Sequence, residues 1–315
     1  MLNKVRLLKE GGFFDTNMMA LTPGNGIDGE YLFYTLSHIG LSSVADVTSI
    51  PQINKKHISP FEIPCPSFPE RRAIAEALSD VDELLGALEV LIAKKRAIKQ
   101  AAMQQLLTGK TRLPGFSGGW ETRRLGEFAA IRNQKVLPAK VDPETLCVEL
   151  EHIGQGDGRL FDYSTARHSS STKYRFLAGD VLFGRLRPYL RKFWHSDRNG
   201  ICTTEIWPLV ADPKQASSSF LRAVVETNRF IDTASASYGT HMPRADWGVM
   251  QNFEVRLPGV KEQTAIAAIL SDMDAQIAAL EARRDKTRAI KQGMMQQLLT
   301  GRVRLVKPSP AGAAA

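Results

Sequence analysis

The sequence predicts an α+β protein in which two long helices from distant parts of the chain pair as one antiparallel coiled coil. Three observations predict this arrangement: a long internal repeat, a regular apolar seam inside each copy, and short strand-like segments between the copies. The chain has 315 residues, of which 43% are hydrophobic and 23% charged, as in an ordinary globular protein. This length is typical of two or three domains.

The internal repeat aligns residues 61–109 with residues 253–301 without a gap, with about 27 identities in about 49 positions. Both copies end with the strings RAIKQ and MQQLLTG. Upstream, the similarity is weaker, and Asp15 to Met18 resembles Thr203 to Ile206 after a small shift. The variable segment before the first copy therefore corresponds only to the back half of the variable segment before the second.

Each copy of the repeat predicts one helix of about 40 residues. Its apolar residues alternate in steps of four and three, as in the seam of a coiled coil. Because a whole domain separates the helices and must return the chain, we expect them to pack antiparallel. An amphipathic helix in an ordinary core is the alternative. The predicted seam consists of Ile74, Leu78, Val81, Leu85 and Leu88 in the first copy and Ile266, Leu270, Met273, Ile277 and Leu280 in the second.

The other faces of the two helices carry many basic residues, for which a solvated surface and a DNA contact both remain open. These residues are Lys94, Lys95, Arg96, Lys99, Arg283, Arg284, Lys286, Arg288 and Lys291. Gly109 and Gly301 follow the last helical turns, where a left-handed helix cap is expected. The string Gly109-Lys110-Thr111 is therefore interpreted as a cap and not as a phosphate loop.

The second variable segment predicts mixed strands and helices. We expect strands at 144–153, at 181–183, at 201–209 with an interruption at Pro208, and at 253–257. A helix is expected at 218–232 and a loop at 238–246. The first variable segment repeats this ending, with a helix at about 30–41, a loop near 49–57 and a strand at 61–64.

The sequence shows no catalytic motif. It has no Gly-rich cofactor loop after a strand and no paired histidine spacing for a metal. Asp142, Glu149 and Glu151 resemble a nuclease site only faintly, since no lysine follows at the required spacing. The net charge of +8 favours a polyanionic partner. Three scattered cysteines and the lack of a membrane-length apolar run are typical of a cytoplasmic protein.

Nucleic-acid contacts are expected where cationic, aromatic and short polar residues cluster in loops. Arginine offers a bidentate fork to guanine or phosphate, amide side chains can read adenine, and lysine can bind phosphate. A solvated surface loop is the alternative for each cluster. The candidates are Arg185, Arg187, Tyr189, Arg191 and Lys192 after the strand at 181–183, Thr240, His241 and Arg244 in the later loop, and Gln52, Asn54, Lys55 and Lys56 in its N-terminal counterpart.

These features together resemble the specificity subunits of Type I restriction-modification systems. The resemblance is carried by PxPxxPERRAIAEALSDVDELL from Pro64 to Leu85, LPGVKEQTAIAAILSDMDAQI from Leu257 to Ile277 and the RAIKQ and MQQLLTG helix ends. It also includes the strand Gly179-Asp180-Val181-Leu182 and the loops Met242-Pro243 and Ile50-Pro51 that precede the two copies of the repeat. It extends over nearly the whole chain except the tail from Lys307. The repeated combination is specific, whereas each motif alone would be weak.

The resemblance implies one complete and one partial target-recognition domain joined by the two helices. The implied parts are a partial recognition domain at 1–66, a first helix at 67–110, a second recognition domain at 111–258, a second helix at 259–302 and a flexible tail at 303–315. The first domain departs from the family pattern, because nothing in it matches the region Gly179 to Tyr189. The chain is therefore expected to be a truncation or a fragment that reads one half-site or pairs with another chain.

The resemblance also implies a function and partners. Such a subunit reads a bipartite sequence in double-stranded DNA, docks two methyltransferase subunits and, through them, joins motor and nuclease subunits. S-adenosylmethionine, ATP and Mg²⁺ would be bound only by those partners, so this chain is expected to carry no cofactor, no metal and no catalytic residue. Two other functions remain open: a coiled-coil scaffold that binds only proteins, and a stand-alone methyltransferase or nuclease.

Overall fold

The computed structural model describes residues 4–24, 26–41, 53–236 and 242–307. The chain forms two compact units, the first made of residues 1–93 and 278–315 and the second of residues 94–277. The helices are α1 (Gly29–Ile39), α2 (Lys55–Ile58), α3 (Phe68–Leu106), α4 (Leu125–Phe128), α5 (Ser218–Glu226), α6 (Asn228–Ser235), α7 (Trp247–Met250) and α8 (Val260–Leu298). The strands are β1 (Glu121–Arg124), β2 (Ala129–Ile131), β3 (Lys135–Val136), β4 (Leu146–Val148), β5 (Ser164–Thr165), β6 (Lys173–Phe176), β7 (Val181–Gly184), β8 (Phe193–His195), β9 (Gly200–Thr203), β10 (Ile206–Ala211) and β11 (Glu254–Leu257).

The repeated segments form the two long helices α3 and α8, of 39 residues each. Gly109 and Gly301 follow their ends with φ angles of 67° and 72°, a left-handed conformation that glycine adopts without strain. Gly109 also allows a close approach, because a Cβ atom there would lie 3.1 Å from the ring of Trp120. The string Gly109-Lys110-Thr111 thus terminates a helix, as predicted.

In the first unit, the beginning of α3 packs against the end of α8. Ile74 and Leu78 share one apolar cluster with Leu298 and Leu299, and Tyr31 of α1 completes it. Since residues early in one helix contact residues late in the other, the pair is antiparallel, as the sequence predicts. Burial of this apolar surface is the main source of stability for two helices that are charged on their other faces.

In the second unit, the same pairing occurs between the end of α3 and the beginning of α8. Met103 and Leu106 belong to one large cluster with Ile266 and Leu270, together with residues of α5 and α6. Of the predicted seam, Ile74, Leu78, Leu88, Ile266, Leu270 and Ile277 are buried, whereas Val81, Leu85, Met273 and Leu280 are half-buried.

Three sheets organise the second unit, with strand orders β1-β11, β2-β10-β7-β8 and β3-β6-β9-β4-β5. Neighbouring strands are antiparallel except for β4 and β9, which run parallel with Cys147 beside Ile201. The strand β7 is buried at every position and lies between β10 and β8. This central position fixes the point at which the chain leaves the sheet at Gly184.

Several predicted strands differ in the structure. The segment 201–209 divides at Thr204 and Glu205 into β9 and β10, and not at Pro208, which lies inside β10 opposite Leu182. Pro208 has no amide hydrogen to donate, but its carbonyl accepts a hydrogen bond from the Arg132 amide at 2.8 Å, just after the end of β2. The segment 144–153 contains only the short strand β4, followed by a 3-10 turn.

The predicted helix at 218–232 is two helices. Thr227 separates them with an extended backbone, φ −66° and ψ 146°, and its hydroxyl accepts a hydrogen bond from the Phe230 amide at 3.3 Å. A threonine side chain thus begins α6 in the usual manner of an N-cap. The helical spacing of apolar residues continues across residue 227, so the sequence predicted one helix and not two.

The N-terminal part of the first unit has little regular structure. The predicted strand at 61–64 is wrong, because those residues form no strand, and residues 4–24 form neither strand nor helix. Leu8, Phe13 and Met18 are largely exposed there. In the second unit, residues 203–206, which match Asp15 to Met18, end β9 and begin β10, and these two strands pair with β2, β4, β6 and β7. Strands without neighbours are not stable alone.

The predicted flexible tail begins with ordered contacts. The backbone amides of Leu305 and Val306 donate to the two carboxylate oxygens of Glu70 at 2.9 and 2.8 Å. Glu70 is buried at the beginning of α3. Flexibility of the tail stays a prediction, and residues 308–315 lie outside the described part of the chain.

Candidate nucleic-acid interface

The main cationic cluster forms one tight segment after β7, residues 185–192, which we call the basic turn. Its middle is a 3-10 turn at Pro188–Leu190, flanked by Arg187 and Arg191 with φ angles of 51° and 52°. Left-handed backbone is uncommon in residues other than glycine and is found in turns and at functional sites. The sequence predicts the cluster but not this conformation.

Backbone hydrogen bonds hold the basic turn from both sides. The Arg187 amide donates to the Pro243 carbonyl at 2.7 Å, and the Gly156 amide donates to the Arg191 carbonyl at 2.9 Å. The Ala245 amide donates to the Arg185 carbonyl at 2.8 Å. The loop around residue 243 therefore lies against the basic turn, which joins two segments that the sequence presents as separate candidates.

Three of the predicted DNA-binding side chains have partners within the protein. The guanidinium of Arg185 lies over the ring of Trp207, 5.4 Å from its centroid. Arg191 donates to the carbonyl of Glu226 and to the side chain of Asn228. Lys192 donates to the Leu150 carbonyl at 2.6 Å. These contacts anchor the turn and leave less of each side chain for a ligand.

Two side chains of the basic turn remain open to solvent. Arg187 and Tyr189 are exposed, and within the described part of the chain neither side chain has a hydrogen-bond or ion-pair partner. A cation beside an aromatic ring on a rigid turn can bind phosphate and stack on a base or sugar. This is the arrangement in the second unit best suited to a nucleic acid.

Arg244 adjoins the basic turn but is already paired. Its guanidinium binds both carboxylate oxygens of Glu205 at 3.1–3.2 Å, and this hydrogen bonding raises the pKa of Arg244 above its usual value. Leu186 and Arg244 also form an isolated β-bridge. The neighbouring candidates Thr240 and His241 lie outside the described residues.

The N-terminal candidates lie in the first unit. Lys55 and Lys56 are exposed on the single-turn helix α2, and the Asn54 amide before it donates to Nδ1 of His57 at 3.0 Å. The candidate Gln52 lies outside the described residues. The short helix orders two cations on a surface, which suits phosphate contact better than base reading.

A further ion pair, which the sequence did not indicate, lies at the start of β7, at the opposite end of this strand from the basic turn. Asp180, in the Gly179-to-Leu182 motif, accepts two hydrogen bonds from Arg132 at 2.7 and 2.9 Å and one from the Leu177 amide. The hydrogen bond to Asp180 raises the pKa of Arg132. The motif is therefore explained by support of β7 and not by contact with a ligand. In the sequence, only a predicted pairing of a buried Asp180 with the distant Arg132 could have indicated this ion pair.

The faint nuclease-like pattern does not converge in the structure. Glu149 is paired with the buried Lys173 at 2.6 Å, and Glu151 is highly exposed. The residues that the structure describes include no group of three or more acidic, histidine or cysteine side chains able to hold a metal ion. They also include no helix long and apolar enough to cross a membrane.

The second unit thus combines three sheets with parts of both long helices, and it carries an exposed arginine and an exposed tyrosine on one backbone-bonded turn. Comparison with known families assigns the chain to one of them. The family described as the Type I restriction modification DNA specificity domain matches residues 3–99 and 117–288. The chain therefore belongs to the specificity subunits of Type I restriction-modification systems.

Known members show the same similarity. The Type I restriction enzyme MjaVIII specificity subunit of Methanocaldococcus jannaschii is 25% identical, covering 95% of this chain and 76% of the relative. The EcoDI specificity subunit of Escherichia coli is 24% identical, covering 80% and 64%. This chain thus spans about two thirds to three quarters of the length of these relatives. Specificity subunits are DNA-recognition components and not the catalytic parts of these enzymes, so this chain directs such a complex to its target.

Two solved structures share the fold. The S subunit of a Type I system from M. genitalium aligns with a TM-score of 0.58 at 16% identity, covering 87% of this chain and 73% of that one. A chain from a study of complex assembly and conformational transition of the type I R-M system aligns with a TM-score of 0.51 at 17% identity, covering 86% and 70%. At these identities the similarity establishes the fold alone.

Proposed function

We propose that the second unit reads its part of the DNA target with the basic turn, using Arg187 and Tyr189 as the contacting side chains. The observation that carries this proposal is their exposure on a turn whose backbone is held by hydrogen bonds, with no side-chain hydrogen-bond or ion-pair partner among the residues that the structure describes. A preorganised turn lowers the entropy lost on binding. Arg185, Arg191 and Lys192 then act mainly as supports, and their positive charge still attracts phosphate.

The other expected contacts are assigned by the same logic. Arg244, which is paired with Glu205, binds a DNA phosphate or base either in place of this carboxylate or together with it. Thr240 and His241 supply further contacts. In the first unit, Asn54, Lys55 and Lys56, with Gln52, supply a second, weaker contact. The protein as a whole reads a bipartite target, and each of its two 39-residue helices is about 60 Å long.

The partners follow from membership of the family. The chain binds two methyltransferase subunits and, through them, the motor and nuclease subunits in the cytoplasm. S-adenosylmethionine, ATP and Mg²⁺ are bound by those partners, and this chain carries no cofactor. A protein-only scaffold is not favoured, since the matched family is defined by DNA specificity.

The test uses the full chain, purified with its Type I methyltransferase, and the DNA positions that the complex methylates. Against a duplex containing the mapped site, Arg187→Ala is expected to weaken binding about 10- to 100-fold, the range for a lost base or phosphate contact. Arg123→Ala is the matched control, because Arg123 is also exposed but paired with Glu121 on β1. An equal loss in both variants would show that only net charge matters and would refute the assignment.

A further inference from the structure

Lys99 is buried, although sequence analysis assigns it to a charged outer face. Its side chain is 7% exposed. Continued from Leu88 and Ile92, the alternating seam of α3 reaches residue 99, so this lysine takes a position where an apolar residue is expected. Burying an ammonium group is costly unless it is paired and hydrogen-bonded.

Three charged side chains of the second unit enclose this lysine. Its Nζ donates to Asp274 of α8 at 2.5 Å and to the carboxylate of Glu226 at the end of α5. Arg222 of α5 closes the group, with its Nη1 2.7 Å from Asp274 Oδ2 and 3.6 Å from Glu226 Oε2. Two cations and two carboxylates balance one another, and they join α3, α5 and α8.

Glu226 extends this contact to the basic turn. Its carboxylate binds Lys99, and its backbone carbonyl accepts a hydrogen bond from Arg191 at 3.3 Å. Arg191 also binds Asn228, the first residue of α6, at 2.5 Å. An unbroken series of polar contacts therefore leads from the long helices to the turn that carries Arg187 and Tyr189.

The second copy of the repeat shows which charged contacts the paired long helices make where Glu226 and Arg222 have no part. Lys291 matches Lys99 in the repeat, and Asp82 matches Asp274. Lys291 binds both oxygens of Asp82 at 2.6 and 2.7 Å and lies over the ring of Tyr34, and among the described residues no second carboxylate pairs with it. One lysine–aspartate pair is thus common to both units, whereas Glu226 and Arg222 are additions found where the complete recognition domain is attached.

We propose that Lys99 is a positioning residue that, through Glu226, fixes the basic turn relative to the long helices and so sharpens sequence discrimination. The discrimination part rests on the proposed DNA-reading role of the turn. Buried polar groups of this kind can specify one arrangement at a cost in stability. Without Lys99, the turn keeps its own fold but is held less firmly against α3.

The first measurement needs no DNA. In the full chain with Cys65→Ser, spin labels at Ala101→Cys on α3 and Tyr189→Cys on the turn report their distance distribution. Because Lys99→Met leaves two buried carboxylates facing one arginine, it is compared with Lys99→Met combined with Glu226→Gln, which leaves the neutral pair Arg222 and Asp274. The matched control is Lys291→Met.

We expect the double variant to regain the melting temperature lost in Lys99→Met, while its distance distribution stays at least twofold broader than that of the parent. Lys291→Met should leave the distribution unchanged. A double variant with the parental width would show that Lys99 serves stability alone and would overturn the proposal. Equal broadening in Lys291→Met would overturn it too, since the effect would then be general.

The second measurement addresses discrimination in proteins without labels. For the mapped duplex and a duplex with one altered base pair, the ratio of dissociation constants should fall about tenfold in the double variant, with non-specific binding unchanged. If the double variant had a broader distance distribution but an unchanged ratio of dissociation constants, the proposal that Lys99 sharpens sequence discrimination would be overturned. If the parent itself showed no preference between duplexes, the proposed function would fail, whereas the distance measurement would still decide the positioning role.

Discussion

The two copies of the repeat use the same residues in different surroundings. Glu70 and Glu262 match in the repeat and are both buried near the beginning of their helices. Glu262 binds Arg112 through two hydrogen bonds, whereas Glu70 binds the amides of Leu305 and Val306. Both glutamates thus hold the segment that follows the other helix. The position is reused, but the donor changes from a side chain to the backbone.

The positions directly after these glutamates, Arg71 and Gln263, also make corresponding hydrogen bonds with different groups. Arg71 donates to the carbonyls of Pro66 and Gly26, and its counterpart Gln263 donates to those of Pro258 and Gln215 at 2.8 Å. A charged and a neutral side chain therefore perform one task, the attachment of the preceding segment. The comparison teaches that the repeat preserves geometry and donor direction more strictly than it preserves residue type.

The largest test of this comparison removes one matched apolar residue from each copy. Leu78 and Leu270 are both almost fully buried. Leu78→Ala and Leu270→Ala should each lower the free energy of unfolding by roughly 2–5 kcal/mol, because each leaves a cavity in a packed seam. Chemical denaturation followed by circular dichroism measures the loss. The controls Leu78→Met and Leu270→Met should cost less than about 1.5 kcal/mol.

Amide exchange in the same variants locates the effect. We expect Leu78→Ala to speed exchange mainly in the first unit and Leu270→Ala mainly in the second. A change within about 0.5 kcal/mol for either alanine variant, as is usual for surface sites, would show that its seam position is not packed in solution.

A smaller effect is expected from the matched glutamates. Glu70→Ala and Glu262→Ala should each cost about 1–3 kcal/mol, the usual range for lost hydrogen bonds to a charged group. Only Glu70→Ala should speed amide exchange at Leu305 and Val306, because only that glutamate accepts from these two amides. Unchanged exchange there would contradict the ordered tail.

The smallest effect concerns pH and a histidine of the second unit. Burial, and then the charge of Arg222, lower the pKa of His195, whose Nε2 lies 3.0 Å from the Ser218 hydroxyl. The unfolded chain then binds a proton more readily than the folded one. Stability should be complete above about pH 6.5, the usual histidine value, and decline as the pH falls below it.

His195→Gln provides the control for this pH response. It removes the titrating group and keeps a side chain able to bond Ser218. The decline between about pH 6.5 and 5.5 should therefore be shallower in this variant than in the parent. Parallel stability curves would show that His195 does not contribute.

Local patterns were sufficient for the long helices and insufficient for the strands. The 4-3 spacing predicted α3 and α8 because a helix repeats its apolar face within a few residues. The division of 201–209 into two strands depended on a turn at Thr204 and Glu205 that no apolar pattern marks. The predicted strand at 61–64 failed because a strand exists only with a neighbour, and the described residues of the first unit include no strand.

The candidate site divides in the same way. The sequence located the basic cluster, since charge and aromatic content are properties of the residues themselves. It did not distinguish Arg187 and Tyr189, which are open, from Arg185, Arg191 and Lys192, which are anchored. That distinction depends on Trp207, Glu226 and Leu150, which lie elsewhere in the chain.

The amino-acid sequence alone was enough to establish the repeat, the helix pair, its antiparallel sense and the family, because identities and apolar spacing are written along the chain. Tertiary structure decided which charges face solvent and which are buried. Lys99 illustrates the reason: its partners Glu226 and Asp274 are 127 and 175 residues away. Whether a lysine is a surface charge or an internal anchor is set by what folding places beside it.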